Sequence, residues 1–397
     1  MEPMQDSVAS QQPDGLGFYV HIPFCQSKCS YCDFLSFPVQ KEGAECLSAY
    51  VSALCAEIAT LPLLNTEIDS IFFGGGTPSL LPAEALERIL HSIEERYRIS
   101  PAAEISLECN PGSADALTLR GYRRAGVNRL SFGLQSLDAA VLARIGRIHN
   151  AWDFWQSLDG ARWAGFEHIN VDVMAGLPGQ SAASLLSTLE PLIQADIEHI
   201  SLYALILEDG TPMEREVSQG RLRLPDEGAA LDMQRRAISL LTAAGFGRYE
   251  ISNFAKPGRE CRHNVNVWKG GAYLAAGLGA SSALYLKNGS LLRCKNTVDM
   301  DQYLQQTQKS ASPIRWHECV SVEEQRFESI MLGLRLCDGI EDAVFRDKFS
   351  RSLMETYPQA IHKHVSAGFL SWDGARLQMT DKGLEWQNTV LMDFLDD

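Results

Sequence analysis

The chain has 397 residues, 45% of them hydrophobic and 21% charged, and its 35 Lys and Arg against 50 Asp and Glu give a net charge of −15. That length suits two domains, or one large domain with an appendage, and the composition is ample for a soluble globular core. The acidic balance excludes a field that would attract nucleic acid or hold an anionic membrane surface, and no apolar run approaches the ~20 residues that span a bilayer.

Residues 1–16 are polar and read as a flexible leader. A β-branched and aromatic run at residues 17–22 is the first strand. Cys25, Cys29 and Cys32 follow at once, and residues 43–61 read as helix. The second strand, residues 68–73, runs straight into Gly74-Gly75-Gly76-Thr77-Pro78. Helix 84–98, with Pro82 near its start, leads to a third strand at 104–109 and then to helix 115–125. A fourth strand at 129–134, helices at 137–145 and 151–165, a fifth strand at 168–174, helix 181–194, a sixth strand at 199–207 and a long helix at 227–244 complete the series. Such alternation demands a parallel sheet, because every crossover returns through a helix. Six units are too few for the closed eight-unit barrel. The fold class is therefore α/β, an open partial (βα)6 barrel over residues 17–250, with its ligand site at the C-terminal edge of the strands.

Residues 251–321 read as a connector packed on the barrel. Residues 322–397 form a small α+β domain: Phe327, Ile330, Met331 and Leu334 lie at helical spacing, and residues 368–380 look like the two-strand wing of a winged helix. A wing suits DNA, but the acidic balance argues for a lid or a partner surface. The ten cysteines show no disulfide framework and no signal peptide precedes them, so they read as reduced thiols of a cytoplasmic protein.

The chemistry centres on Cys25, Cys29 and Cys32, spaced C-x3-C-x2-C just after a strand. Three thiolates hold three irons of a four-iron cubane and leave the fourth open to bind a small molecule. Zinc favours four ligands from paired C-x2-C elements, which a single triad does not supply. The spacing resembles the radical S-adenosylmethionine (SAM) superfamily, in which a [4Fe-4S] cluster binds SAM at its open iron and releases a 5′-deoxyadenosyl radical. The glycine run lacks a Walker lysine and is not a phosphate loop. Alone it reads as a tight turn. Beside the triad it matches that superfamily's GGE-like motif, which binds the amino group of SAM, with Gly75, Gly76 and Thr77 in that place. Glu108, Gln135, Arg147 and Asp172, at successive strand ends, supply acceptors for a ribose diol and a cation for a carboxylate. Tyr19 and Tyr31 flank the triad, apt to stack on adenine or to shield the cluster.

The resemblance narrows on longer strings. Tyr-Val-His-Ile-Pro-Phe-Cys at 19–25, Phe-Gly-Gly-Gly-Thr-Pro-Ser at 73–79, Glu-Cys-Asn-Pro at 108–111, Gly-Leu-Gln-Ser at 133–136, Ile-Gly-Arg-Ile-His at 145–149 and Gly-Leu-Pro at 176–178 are similar to the oxygen-independent coproporphyrinogen III oxidase (HemN-like) family. That resemblance places Tyr19, Tyr31, Gly75, Gly76, Thr77, Glu108, Gln135, Arg147, Asp172 and Ala204 on SAM-contacting positions. True coproporphyrinogen dehydrogenases carry a further cysteine two residues after the third, where this chain has Phe34. The form Cys32-Asp33-Phe34 resembles the HemW branch instead, regarded as heme chaperones that pass heme to apo-hemoproteins. His263-Asn264-Val265-Asn266-Val267-Trp268 resembles that branch's HNxxYW motif, with Val267 in place of the tyrosine. The resemblance makes His263 the candidate heme-binding residue, with Cys261 a rival soft ligand and Trp268 a packing anchor. It also implies pairing into a homodimer, and any membrane contact would be peripheral, through a recipient protein.

Overall fold

A computed structural model describes residues 7–13, 15–39 and 43–395. All six expected strands form: β1 (Leu16–Ile22), β2 (Ile68–Gly75), β3 (Ile99–Cys109), β4 (Arg129–Gln135), β5 (His168–Ala175) and β6 (His199–Ala204). They lie side by side in sequence order and all pair in parallel. Helices return between them, including α1 (Gly43–Ile58), α2 (Ala83–Glu94), α3 (Ala116–Ala125), α4 (Ala139–Arg144), α5 (Ala151–Trp163) and α6 (Ala182–Gln194). Their starts obey local chemistry. Asp115 accepts from Thr118 N at the head of α3, and Asn150 and Ser181 build capping boxes at α5 and α6.

The sheet has two unlike faces. Phe18, Val20, Ile71, Phe73, Leu107, Phe132 and Val171 point outward into one apolar core beneath the helices. Their alternates point inward and are polar yet buried: His21, Ser70, Glu104, Arg129, Asn170 and His199. A parallel strand buried on both faces ordinarily reads as a continuous apolar run. The period-2 alternation here marks an interior built to hold polar groups.

The segment expected as a connector enlarges the sheet. β7 (Asn253–Ala255) pairs antiparallel with β6, and β8 (Ala272–Ala276) pairs parallel with the free side of β1. β9 (Ser281–Tyr285), β10 (Leu291–Asn296) and β11 (Ile314–Val320) continue outward as an antiparallel meander. The result is an open twelve-stranded sheet, and the two ends do not join. Glu57 of α1 ties the addition down, accepting from Gly277 N (2.8 Å), Asn296 Nδ2 (2.6 Å) and Tyr303 Oη (2.6 Å).

Part of the expected leader is packed. Val8 bridges to Leu286, and the buried Gln12 side chain accepts from Tyr285 N (2.8 Å) and donates to Ala9 O and Tyr285 O. A polar side chain there completes a strand edge rather than marking a loose chain. Residues 1–6 and 14 of that leader lie outside the described residues.

The C-terminal domain has its own apolar core around Ile330, Leu334, Phe345, Leu353 and Leu377. The expected wing, Leu370–Trp372 against Arg376–Met379, gains a third antiparallel strand, Ile340–Glu341. The domain docks through Arg335, which lies over the Trp268 ring (4.3 Å) and pairs with Glu250 (3.5 Å), and through Glu385, bound by Arg235.

Candidate functional site

The cluster loop leaves β1 and returns beside itself, because Phe24–Cys25 pairs in parallel with Phe37–Pro38. Between these ends it is fastened to the barrel. Ser30 N donates to Ile145 O (3.2 Å), Met213 N donates to Ser30 O (2.8 Å), and His21 Nε2 bonds Leu35 O (2.9 Å). A carbonyl only accepts, so His21 Nε2 carries a proton. Burial lowers the His21 pKa and favours the neutral ring, whose Nδ1 then accepts from Tyr19 Oη (3.0 Å).

Cys25 is buried, and Cys29 and Cys32 are half-buried. Burial chiefly raises the Cys32 thiol, and the nearby Cys29 and Cys25 add to the rise. Among the described residues no three His, Cys, Asp or Glu side chains close on a single metal ion. A cubane asks for something different, namely soft thiolates spread over separate irons. Donors are aimed at the sulfurs as well: Thr77 Oγ1 lies 3.6 Å from Cys25 Sγ, and Arg147 Nη1 lies 3.5 Å from Cys29 Sγ. Thiols on one loop, with polar hydrogens directed at them, fit a [4Fe-4S] cluster.

The strand ends beside this loop carry the other expected residues. Gly75 N donates to Glu108 Oε2 (3.1 Å) at the end of β2. Burial, with Asp172 adding its charge, pushes the Glu108 carboxyl up to about 8. Asp172 accepts from Asn170 Nδ2 (2.8 Å) and Ser131 Oγ (3.3 Å), and burial raises its pKa too. Gln135 ends β4 at a register shift, with φ of 67°, and its buried Oε1 has no partner among the described residues. Arg147 Nε is likewise buried without one, although Nη2 bonds Asn110 Oδ1 (3.0 Å) and Gly133 O. A strained backbone and two orphaned polar atoms at one edge are what a missing polar ligand leaves behind. Tyr31 packs with Val141, Ile145 and Met174, its hydroxyl pKa raised by burial. Ala204 is exposed at the end of β6, opposite Ala175.

The glycines serve internal packing as much as a ligand. A Cβ on Gly75 would lie 2.5 Å from the His21 ring, and one on Gly76 would lie 2.5 Å from Phe24 O. His21 and Asn110 act at this edge without having been singled out, although both stand inside the matching strings.

His263 lies elsewhere. It sits in a short helix, α7 (Arg262–Trp268), and is 5% exposed. That helix closes the opposite, N-terminal end of the barrel. Glu104, deep inside, accepts from Arg262 N (3.1 Å), His263 N (3.1 Å) and Cys261 Sγ (3.4 Å). His263 Nδ1 bonds Ser70 Oγ (2.9 Å), its ring stacks on Phe72 (5.3 Å), and burial lowers its pKa to about 4. Ser70 is five residues before Gly75 on β2, so the structure does not bring His263, or Cys261, to the cluster edge. His263 Nδ1 and Cys261 Sγ are both engaged inside the barrel.

Two family models match the chain: the radical SAM superfamily over residues 19–215 and the HemN C-terminal domain over residues 320–386. The heme chaperone HemW of Synechocystis is 39% identical over 328 residues, covering 81% of this chain and 78% of that protein. Those of Lactococcus lactis and Escherichia coli are 35% and 32% identical, covering 96% of this chain and 97% and 98% of theirs. Among solved structures, the E. coli coproporphyrinogen III oxidase HemN shares the fold, with a TM-score of 0.83 at 21% identity over 98% of this chain and 92% of that one. The thiol triad, the partial barrel and this near full-length similarity converge: the chain belongs to the HemW family of radical SAM proteins.

Proposed function

We propose that the chain binds heme and delivers it to apo-hemoproteins, with a [4Fe-4S] cluster on Cys25, Cys29 and Cys32 and SAM along the strand ends from Tyr19 to Ala204. The observation that carries this reading is the near full-length similarity to proteins named heme chaperones. When bound, the cluster supplies one electron for reductive cleavage of SAM. This chain's own residues would bind and orient: Gly75, Gly76 and Thr77 would take the amino group of SAM, Glu108, Gln135 and Asp172 would accept from the ribose diol, Arg147 would pair with the carboxylate, and Tyr19 and Tyr31 would stack on adenine or wall off water.

Phe34 supports the chaperone reading further. It is 62% exposed on the cluster loop, where the dehydrogenases have a cysteine, and Ile148 and Ile206, on neighbouring loops, are exposed as well. This rim offers an apolar macrocycle a resting face beside the cluster. Anaerobic reconstitution followed by heme titration tests the proposal. The loaded chain is expected to bind heme, Phe34→Ser to weaken that binding and His263→Ala to leave it unchanged. A His263→Ala variant that folds but loses heme would move the site to the barrel's other end. Incubation with coproporphyrinogen III and a reductant is expected to yield no protoporphyrinogen IX; its appearance would overturn the chaperone reading.

A further inference from the structure

Arg147 and Thr77 reach different cysteines, and one side chain joins them. Arg147 Nη1 donates to Cys29 Sγ (3.5 Å), and Nη2 donates to Asn110 Oδ1 (3.0 Å). Asn110 Nδ2 donates to Thr77 Oγ1 (2.8 Å), which lies 3.6 Å from Cys25 Sγ. Chemistry fixes the direction of these bonds. A guanidinium only donates, so Asn110 turns its carbonyl to Arg147 and its amide nitrogen to Thr77. With an N–H arriving at its oxygen, the Thr77 hydroxyl points its own proton at the sulfur. Asn110 is itself held at the end of β3. Its backbone N donates to Ser79 Oγ (3.3 Å), and its carbonyl accepts from Ser113 Oγ (2.6 Å).

We propose that Asn110 is a positioning residue for the iron–sulfur cluster: it aims one donor at Cys25 through Thr77 and braces the donor to Cys29 through Arg147. This rests on the reading that the triad holds a cluster. Hydrogen bonds to ligand sulfurs withdraw charge from the thiolates, favour the reduced cluster and raise its potential. The Asn110 amide thus sets both the orientation of two ligands and the ease with which the cluster takes an electron. An aspartate at 110 would offer oxygen on both sides, and the Thr77 hydroxyl would turn to it and leave Cys25.

The test is a cycle on the full, cluster-loaded chain without SAM, read as midpoint potential by EPR-monitored titration. Thr77→Val is expected to shift the potential negative, and Thr77→Ser to restore it. Asn110→Asp is expected to shift it negative in the parent, and by less in the Thr77→Val background, where only the added charge acts. Iron loss to a chelator should be about tenfold faster in Thr77→Val. Equal Asn110→Asp shifts in both backgrounds, or a Thr77→Val potential matching the parent, would overturn the relay alone. A parent that assembles no cluster would overturn the triad reading and the relay with it. If valine disturbs the strand end, Thr77→Ala takes its place in the cycle.

Discussion

Glu108 meets the site as a carboxylic acid at neutral pH, because burial and the nearby Asp172 raise it to about 8. A cationic ligand with a ribose diol is better served by the carboxylate. SAM binding should therefore release a proton near pH 7, and affinity should rise as pH climbs toward 8. Calorimetry in two buffers of different ionisation heat checks this: the observed heats should differ for the parent and coincide for Glu108→Gln. Equal heats for the parent would refute the assignment. His21 is the converse case, a group whose role depends on staying neutral. His21→Phe keeps the ring and removes both hydrogen bonds, leaving Leu35 O without its donor, and should cost about 1–3 kcal/mol in chemical denaturation. The two residues also differ in legibility. Glu108 stood out as an acid at a strand end. The value of His21 and Asn110 lies in which atoms they join across the fold, namely Leu35 to Tyr19 and Arg147 to Thr77. Spacing along the chain holds no trace of that.

The junction after β2 shows how far a single strand can be read. Its apolar run and the glycines that follow are plain in sequence, and so is the expectation of close approach. Hidden is what approaches: Gly75 has φ of 110°, and its missing Cβ makes room for His21. Gly75→Ala should lose about 1–3 kcal/mol of stability from backbone strain alone. It should also weaken SAM binding, since the Gly75 amide holds Glu108; unchanged melting and unchanged affinity together would refute this. The six βα units were legible because each strand pairs an apolar outer face with a turn of recognisable chemistry. β8 to β11 were not: β8 and β9 have only five residues each, and β11 is exposed over most of its length, with no apolar face to mark it. α7 was missed for another reason: two of its seven residues are valines, poor helix formers. Its first turn is fixed by Glu104, 157 to 159 positions away in the chain.

Four histidines are buried and held neutral: His21, His149, His199 and His263, with His149 and His263 lowered to about 4, chiefly by burial. In the unfolded chain each titrates near 6.5. As pH falls from 6.5 the unfolded state takes up protons that the fold refuses, so stability is lost. Glu57 and Glu108, raised to about 7 and 8, oppose this, and so does Asp172 in direction. Their folded forms hold protons that the unfolded chain releases above about 4.5, so their contribution is present at low pH and lost as pH rises. Between 4.5 and 6.5 His149 and His263 therefore work against Glu57 and Glu108, each group moving stability by about 1.4 kcal/mol per pH unit when fully engaged. Removing one member exposes its share of this balance. His149→Gln takes away a group that destabilises the fold on acidification, so its unfolding free energy by chemical denaturation should lose about 1 kcal/mol less than the parent's from pH 6 to pH 5. Parallel curves for the two proteins would mean that the fold does not hold His149 neutral, and that the protonated inward carboxyls, not the neutral imidazoles, set its response to acid.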